Sequence, residues 1–499
     1  MKAVLGSGLG LLVWMLASGA GAAELRTPEE TFGPTLVGVG STQTTATSTS
    51  PAHRDVVHRW NRIAIDASGL DHTPVAPGEN RVFGEQLGPG RSARAMAIVH
   101  VAMFEAVNAI VGGYQSYVGL RRAQAGTSLD AAVAQAAHDT LAALFPSQRG
   151  AFDARLAEDL AAVRLAGMRS RGVDLGRRAA AAILALREGD GSDHPEPLYG
   201  GDWIPADGPG VWRQDPISQS PLALGAKWGA VRPFVLRAAT DFRVAPPPAL
   251  ASDAYATAFA EAKAYGGDGI GTLTLRSDEQ TEIGIYWAYD GTPSLCAPPR
   301  LYNQIAVTIA DQLGTGVVGL ARLLALVNVA LADAGIAVWE SKYHYAFWRP
   351  VTGIREADPG PWGPGDGNPT TLGDPGFSPL GAPASNLFAV NFTPPFPSYP
   401  SGHAGFGGAL FETLRRFYGR DDIAFTFVSD EWNGVTHDNQ GNVRPLRPRH
   451  FDSLSQAEEE NGQSRIYLGI HWSFDKVAGI AQGRRVADEV TRRLFRRVR

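Results

Sequence analysis

The sequence is poor in sulfur. Its 499 residues include one cysteine, Cys296, and five methionines. A single cysteine excludes an intramolecular disulfide bond and excludes a metal centre built from several thiolates. An exported chain without disulfides depends on its packed core for stability.

The chain also lacks an excess of positive charge, since its net charge at pH 7 is -5. This balance argues against nucleic acid or an acidic membrane surface as a partner. The length and a hydrophobic content of 44% allow one large or two medium domains with full-sized cores.

Alternating strand patterns are scarce, with one short candidate near residues 424–428. Helical periodicity recurs from about residue 91 onward, interrupted by two segments rich in proline and glycine, 190–248 and 352–400. The sequence therefore predicts an all-α protein of helical bundles, two four-helix-bundle-like halves, with long irregular loops. The predicted divisions are a signal peptide (1–23), an irregular N-terminal arm (24–90), an N-terminal helical half (91–300) and a C-terminal helical bundle with the candidate site (301–499).

The first 23 residues have the pattern of a secretory signal. Lys2 supplies a positive start, Val4–Leu16 a short apolar run, and Ala20–Ala22 a cleavage site of small residues. The run is shorter than the roughly 20 residues that a membrane-spanning helix needs. We expect a secreted or periplasmic protein with no membrane attachment after cleavage.

The first of three charged segments is KYHYAFWRP, from Lys342 to Pro350. Lys342 and Arg349 are seven residues apart, so on one helix they would face the same side, about 10 Å apart. Pro350 disfavours helical geometry at Arg349, which predicts that the arginine lies at a helix end or in a turn. Taken alone, the segment favours two solvated cations.

The second segment, Ser401–His403, follows a rigid, proline-rich approach and opens an apolar helix. Amides at a helix N-terminus attract anions, and glycine allows close approach of the backbone. We expect His403 one turn inside this helix, as an acid or base at a bound anion. A capping serine beside an incidental histidine is an equally good interpretation of this segment alone.

The third segment contains Arg465 and His471, six positions apart in the sequence, with Gly469 between them. Six residues is a poor match to one helical face, so His471 is predicted to lie where the helix has begun to end. Asp475 could hydrogen-bond the imidazole and orient it, although a surface carboxylate is nearly as good an interpretation.

Together the segments supply three fixed cations, a hydroxyl, a glycine amide and two imidazoles, a set that suits a tetrahedral oxyanion. No P-loop, HExxH, CxxC or EF-hand pattern occurs, and no GxSxG motif surrounds Ser401.

The three segments resemble the signature shared by vanadium-dependent haloperoxidases, type 2 phosphatidic acid phosphatases and bacterial acid phosphatases. That signature is Lys, six residues, Arg-Pro; PSGH; then Ser-Arg, five residues, His, three residues, Asp. A closer resemblance to fungal-type vanadium chloroperoxidases extends to YWAYDG (286–291), PPRLYNQI (298–305), DAGIAVWESK (333–342) and RHFDS (449–453).

The resemblance implies a vanadate cofactor, with no haem and no divalent metal. His471 would bind vanadium directly, His403 would act as acid and base at the apical oxygen, and Lys342 would polarise bound peroxide. The residues implied to hold the vanadate are Lys342, Arg349, Ser401, Gly402, His403, Arg465 and His471. The resemblance also places Trp339 and Phe396 beside the halide and pairs Asp290 with Arg465.

The implied partners are hydrogen peroxide and halide, chloride or bromide, which would become hypohalous acid; an organic halogen acceptor is left open. Two other functions remain open at this point. One is an exported acid phosphatase with a phosphohistidine at His471, and the other is a non-catalytic oxyanion-binding protein.

Overall fold

The computed structural model describes residues 26–40 and 55–498, so the predicted signal peptide lies outside the described residues. Helices dominate the described chain, which confirms the all-α prediction. In chain order the helices are α1 (Pro28–Phe32), α2 (Val56–Asp71), α3 (Gly88–Val111), α4 (Leu129–Leu144), α5 (Arg149–Ala162), α6 (Ala166–Arg187), α7 (Asp253–Gly266), α8 (Asp278–Tyr286), α9 (Pro298–Gln312), α10 (Val317–Tyr345), α11 (Pro350–Arg355), α12 (Gly402–Tyr418), α13 (Leu454–Tyr467) and α14 (Ser473–Arg493).

The strands of the described residues form three two-stranded antiparallel sheets. Their bounds are β1 (Gly38–Val39) with β4 (Leu387–Phe388), β2 (Pro359–Gly360) with β3 (Gly363–Pro364), and β5 (Phe425–Asn433) with β6 (Leu446–Phe451). The strand expected near residues 424–428 is therefore longer than predicted and belongs to a hairpin.

The prediction that residues 24–90 are irregular is wrong for α2. Asp55 caps this helix by accepting hydrogen bonds from the amides of Val57 and His58, at 3.0 and 3.1 Å. Trp60 and Ala64, four residues apart, are fully buried on its inner face. This helix was not predicted because its run of helically spaced apolar residues is short and lies among segments rich in serine, threonine, glycine and proline.

The longest helix, α10, runs through the middle of the protein and packs against α3, α9, α12 and α14. The largest buried apolar cluster includes residues of α2, α3 and α4 as well as of α9, α10, α12, α13 and α14. The core is therefore continuous across the division predicted at residue 300. Both α3 and α10 are long and apolar enough to cross a membrane, but 83% and 78% of their apolar windows are buried inside the protein.

Helices α12 and α14 approach each other closely through glycines. A Cβ at Gly483 would lie 2.0 Å from the carbonyl oxygen of Gly405, and a Cβ at Gly408 would lie 2.5 Å from that of Ile480. The GFGG sequence after His403 (residues 405–408) therefore serves close helix packing. The close contact holds the start of α12 beside the start of α14, where the candidate site lies.

Candidate oxyanion site

Lys342 lies in the last turn of α10, which ends at Tyr345. Its ammonium group is fully buried and donates to the carbonyl oxygens of Pro397 and Ser398, each at 2.8 Å. Burial and the neighbouring Arg349 lower the pKa of Lys342 well below its ordinary value.

Arg349 precedes α11 as its N-cap residue in extended geometry, as the proline rule predicts. The expectation that Lys342 and Arg349 share one helical face is wrong, because Ala346 adopts a left-handed conformation and ends α10 between them. The Arg349 guanidinium donates to the carbonyl of Ile470 at 2.8 Å and to Nε2 of His471 at 2.9 Å. Burial lowers its pKa to about 9.

Ser401 is the N-cap of α12, and its hydroxyl accepts a long hydrogen bond from the amide of Ala404, at 3.4 Å. Gly402 is the first residue of the helix. A Cβ there would lie 3.2 Å from the Trp339 ring and 3.8 Å from Cε of Lys342, so a side chain would crowd the site.

His403 is the second residue of α12, not one turn inside it as expected. Its Nε2 donates to the carbonyl of Ala288, which leaves Nδ1 as the nitrogen that can accept a proton. Burial, together with the charge of Arg465, lowers the pKa of His403 well below its ordinary value, so the imidazole is neutral at pH 7.

Arg465 lies in the last turn of α13, and its Nη2 donates to both carboxylate oxygens of Asp290, at 2.7 and 2.8 Å. Its Nε and Nη1 are buried and have no hydrogen-bond partner in the protein. Burial raises the pKa of Asp290, and the paired Arg465 opposes that rise. Asp290 also lies 3.9 Å from Nε2 of His403.

His471 lies in the short break between α13 and α14, after Gly469 in the left-handed region at φ +70°. Its Nδ1 donates to Asp475 at 2.8 Å, so its Nε2 carries the lone pair that faces the Arg349 guanidinium. Burial and the Arg349 charge lower the pKa of His471 well below its ordinary value. Burial raises the pKa of Asp475 to about 6.

Ser398 is a site residue that sequence reasoning missed. It is fully buried, and its hydroxyl donates to the same Asp475 oxygen that accepts from His471. Its carbonyl oxygen accepts from Lys342. The proline-rich segment before Ser401 indicated the start of a helix but gave no signal that Ser398 belongs to the site.

The structure brings all of the predicted site residues together around one cavity or directly behind it. The aromatic rings of Trp339 and Phe396 lie 5.0 Å apart, and the ammonium of Lys342 is 5.2 Å from the centre of the Phe396 ring. The cavity has a volume of about 50 Å³. Its lining includes Asp290, Trp339, Phe396, Gly402, His403, Arg465 and His471, together with Thr31, Phe32 and His72, which sequence reasoning did not single out.

Residues 322–499 match the family model described as "VCPO second helical-bundle domain". The vanadium chloroperoxidase of Curvularia inaequalis is 42% identical over 273 residues, which cover 47% of this chain and 43% of that protein. The match thus spans less than half the length of this curated relative. The resemblance to vanadium haloperoxidases is confirmed.

Solved structures extend the likeness in fold to most of the chain. A bacterial vanadium-dependent iodoperoxidase superposes with a TM-score of 0.68 at 23% identity, covering 89% of this chain and 98% of that one. The apo-type structure of a bacterial vanadium-dependent chloroperoxidase gives a TM-score of 0.61 at 17% identity, covering 84% and 96%. These structures establish the shared fold of the helical bundles.

Proposed function

We propose that this protein is a vanadium-dependent haloperoxidase that uses hydrogen peroxide to oxidise chloride or bromide to hypohalous acid. The observation that carries the proposal is the pair of buried, unpartnered N–H groups of Arg465 in a cavity that His471 also lines. A buried donor without a partner is costly, and a bound anion removes that cost.

The donor set fits vanadate. Lys342, Arg349 and Arg465 carry three buried cations against the two carboxylates of Asp290 and Asp475, so the protein around the cavity favours an anion. The three cations would hold the vanadate oxygens, helped by the hydroxyl of Ser401 and the amide of Gly402 at the N-terminus of α12.

His471 would be the direct ligand of vanadium through Nε2. Its hydrogen bond to Asp475 fixes the tautomer and the ring orientation, and its low pKa keeps Nε2 unprotonated. When bound, vanadate supplies the Lewis acid that activates hydrogen peroxide toward halide.

His403 would move the protons of the reaction. The low pKa of His403 leaves Nδ1 unprotonated while the site is free. The neutral imidazole can therefore take a proton from hydrogen peroxide at Nδ1 and return it when the product leaves. The hydrogen bond from Nε2 to Ala288 holds the ring in place during both transfers.

Lys342 would stabilise negative charge at the peroxide beside the aromatic wall. Its ammonium lies 5.2 Å from the ring centre of Phe396 and 5.8 Å from that of Trp339. These two rings would exclude water from the proposed halide position. From the resemblance to vanadium chloroperoxidases we expect Phe396 to favour chloride oxidation, with bromide oxidised more easily. The predicted signal peptide supports export to the periplasm or medium.

The test compares three activities of one preparation. Protein loaded with orthovanadate and desalted should retain vanadium and halogenate monochlorodimedone with peroxide and bromide or chloride. His471→Ala should abolish vanadium retention, measured by elemental analysis, whereas the exposed control His450→Ala should retain it.

Brisk phosphate-ester hydrolysis by vanadate-free protein, without halogenation, would instead identify a phosphatase. Retention of vanadate with neither activity would identify a binding protein. Full vanadium retention by His471→Ala would show that His471 is not the ligand.

A further inference from the structure

The N-terminal segment 26–40 is fixed across the body of the protein. Its short helix α1 has a capping box between Thr27 and Glu30, and its strand β1 pairs with β4. Within α1, the carbonyl of Thr31 accepts a hydrogen bond from the hydroxyl of the distant Ser220, at 3.0 Å. The segment is therefore held in one position where it passes the cavity.

Phe32 is the residue of this segment that meets the cavity with a large side chain. It is 6% exposed and packs with Phe83, Leu87 and Leu387 in a small apolar cluster of its own. Phe32 and Thr31 line the same cavity as His403, Arg465 and His471. A segment distant in sequence thus supplies part of the wall around the oxyanion cradle.

The size of the cavity limits what can enter. Pockets that hold drug-sized organic molecules usually have volumes of about 300–1,000 Å³, whereas this cavity has about 50 Å³. One water-sized group needs about 10–15 Å³ by the same measure, so the cavity has room for a few such groups, as in a tetrahedral oxyanion, peroxide or a halide. We expect a phenyl ring to be too large for it.

We propose that Phe32 is a specificity-determining residue that restricts access to the oxyanion cradle by size. The ring of Phe32 closes the side of the cavity that α1 covers, so small inorganic ions and peroxide enter and ring-bearing molecules are excluded. This inference rests on the oxyanion site of the proposed function but not on its oxidation chemistry.

The test measures ligand size by calorimetry on vanadate-free protein, with inorganic phosphate and phenylphosphonate as the probes. Both ligands present the same oxyanion head, and only the second carries a ring. The wild-type protein should bind phenylphosphonate at least about tenfold more weakly than phosphate, because steric differences of this kind change affinity by one to two orders of magnitude.

Phe32→Ala removes the ring, so it should reduce the difference in affinity between phosphate and phenylphosphonate by about tenfold. The affinity for phosphate itself should stay within about twofold of the wild-type value. Phe32→Leu keeps an apolar side chain in the cluster and should give an intermediate difference, which guards against a folding defect in the alanine variant. Val37→Ala is the matched control, because Val37 lies on the same segment and is 89% exposed.

If the difference in affinity between phosphate and phenylphosphonate stayed unchanged in folded Phe32→Ala and Phe32→Leu, the inference would be overturned and the oxyanion site would stand. Equal affinity of the wild-type protein for the two ligands would also overturn it. Weakened phosphate binding in both variants would show that Phe32 supports the fold of the site and does not select by size. If the wild-type protein bound neither ligand, the oxyanion site itself would be refuted.

Discussion

Replacing Asp475 by asparagine removes the negative charge behind His471 while keeping the shape of the side chain. One oxygen of Asp475 accepts hydrogen bonds from Nδ1 of His471 at 2.8 Å, from the amide of Trp472 at 3.1 Å and from the hydroxyl of Ser398. An asparagine oxygen can accept from the same donors, so the change mainly alters how strongly the imidazole is held and polarised.

The magnitude follows from the loss of charge in the bond to His471. A neutral hydrogen bond contributes about 0.5–1.5 kcal/mol, and a charge-assisted one is about twice as strong. The substitution should therefore cost about 1 kcal/mol in the bond from His471 to vanadium, which is about fivefold in affinity. Asp475→Ala, which removes the acceptor entirely, should cost about 10–100-fold.

Loss of a negative charge near a bound anion also strengthens binding, because a Coulomb repulsion disappears. Phosphate resembles vanadate in shape and charge and feels the same repulsion, but it needs no bond to His471. The informative quantity is thus the ratio of vanadate to phosphate affinity at one pH, measured by titration calorimetry. We expect Asp475→Asn to lower this ratio about fivefold.

The control Asp174→Asn makes the same chemical change at a side chain that is 71% exposed, and it should leave the ratio unchanged. An unaltered ratio in Asp475→Asn and Asp475→Ala would refute the reasoning, since it would mean that Asp475 does not tune a bond from His471.

Two further predictions concern charge in the core. Because burial and Arg349 lower the pKa of Lys342 and a bound anion raises it again, the anion binds more tightly to the form in which Lys342 is protonated. Sulfate keeps a constant charge at neutral and alkaline pH, so calorimetry should show that it binds more weakly as the pH rises. Lys342→Met should flatten this pH dependence of sulfate affinity, and an unchanged slope in that variant would contradict the prediction. Asp333 accepts hydrogen bonds from the amides of residues 234, 235 and 236 at 2.6, 2.8 and 3.0 Å. Asp333→Asn would point an N–H group at a buried donor, so urea denaturation should show a loss of about 1–3 kcal/mol in unfolding free energy, and a wild-type midpoint would be the contrary result.

The sequence was sufficient to predict those parts of the site that depend on local backbone rules. Pro350 fixed the extended geometry of Arg349, and the spacing of Arg465 and His471 around Gly469 predicted a helix break. The all-α class could be predicted because the helical period appears directly in the spacing of apolar residues along the sequence.

The parts that could not be predicted depend on contacts between distant segments. Nothing near Phe32 or His72 in the sequence indicates that both line the cavity, and the carbonyl of Ala288 that binds His403 has no side-chain signal at all. Ser398 is one of many serines, and its role emerges only when α14 brings Asp475 beside it.

The position of α10 determines which pieces of the chain can exist alone. Lys342 lies in the last turn of this helix, whereas the middle of the helix, around Leu324 and Leu331, is fully buried in a core shared with α3. The family match begins at residue 322, inside α10, so the recurring sequence unit and the folding unit have different borders. A fragment cut at that border would lose the first turn of the helix and expose to water the apolar face that α3 covers. The N-terminal helices, which supply none of the cations, are thus a structural requirement for holding Lys342 at the depth where an anion can be bound.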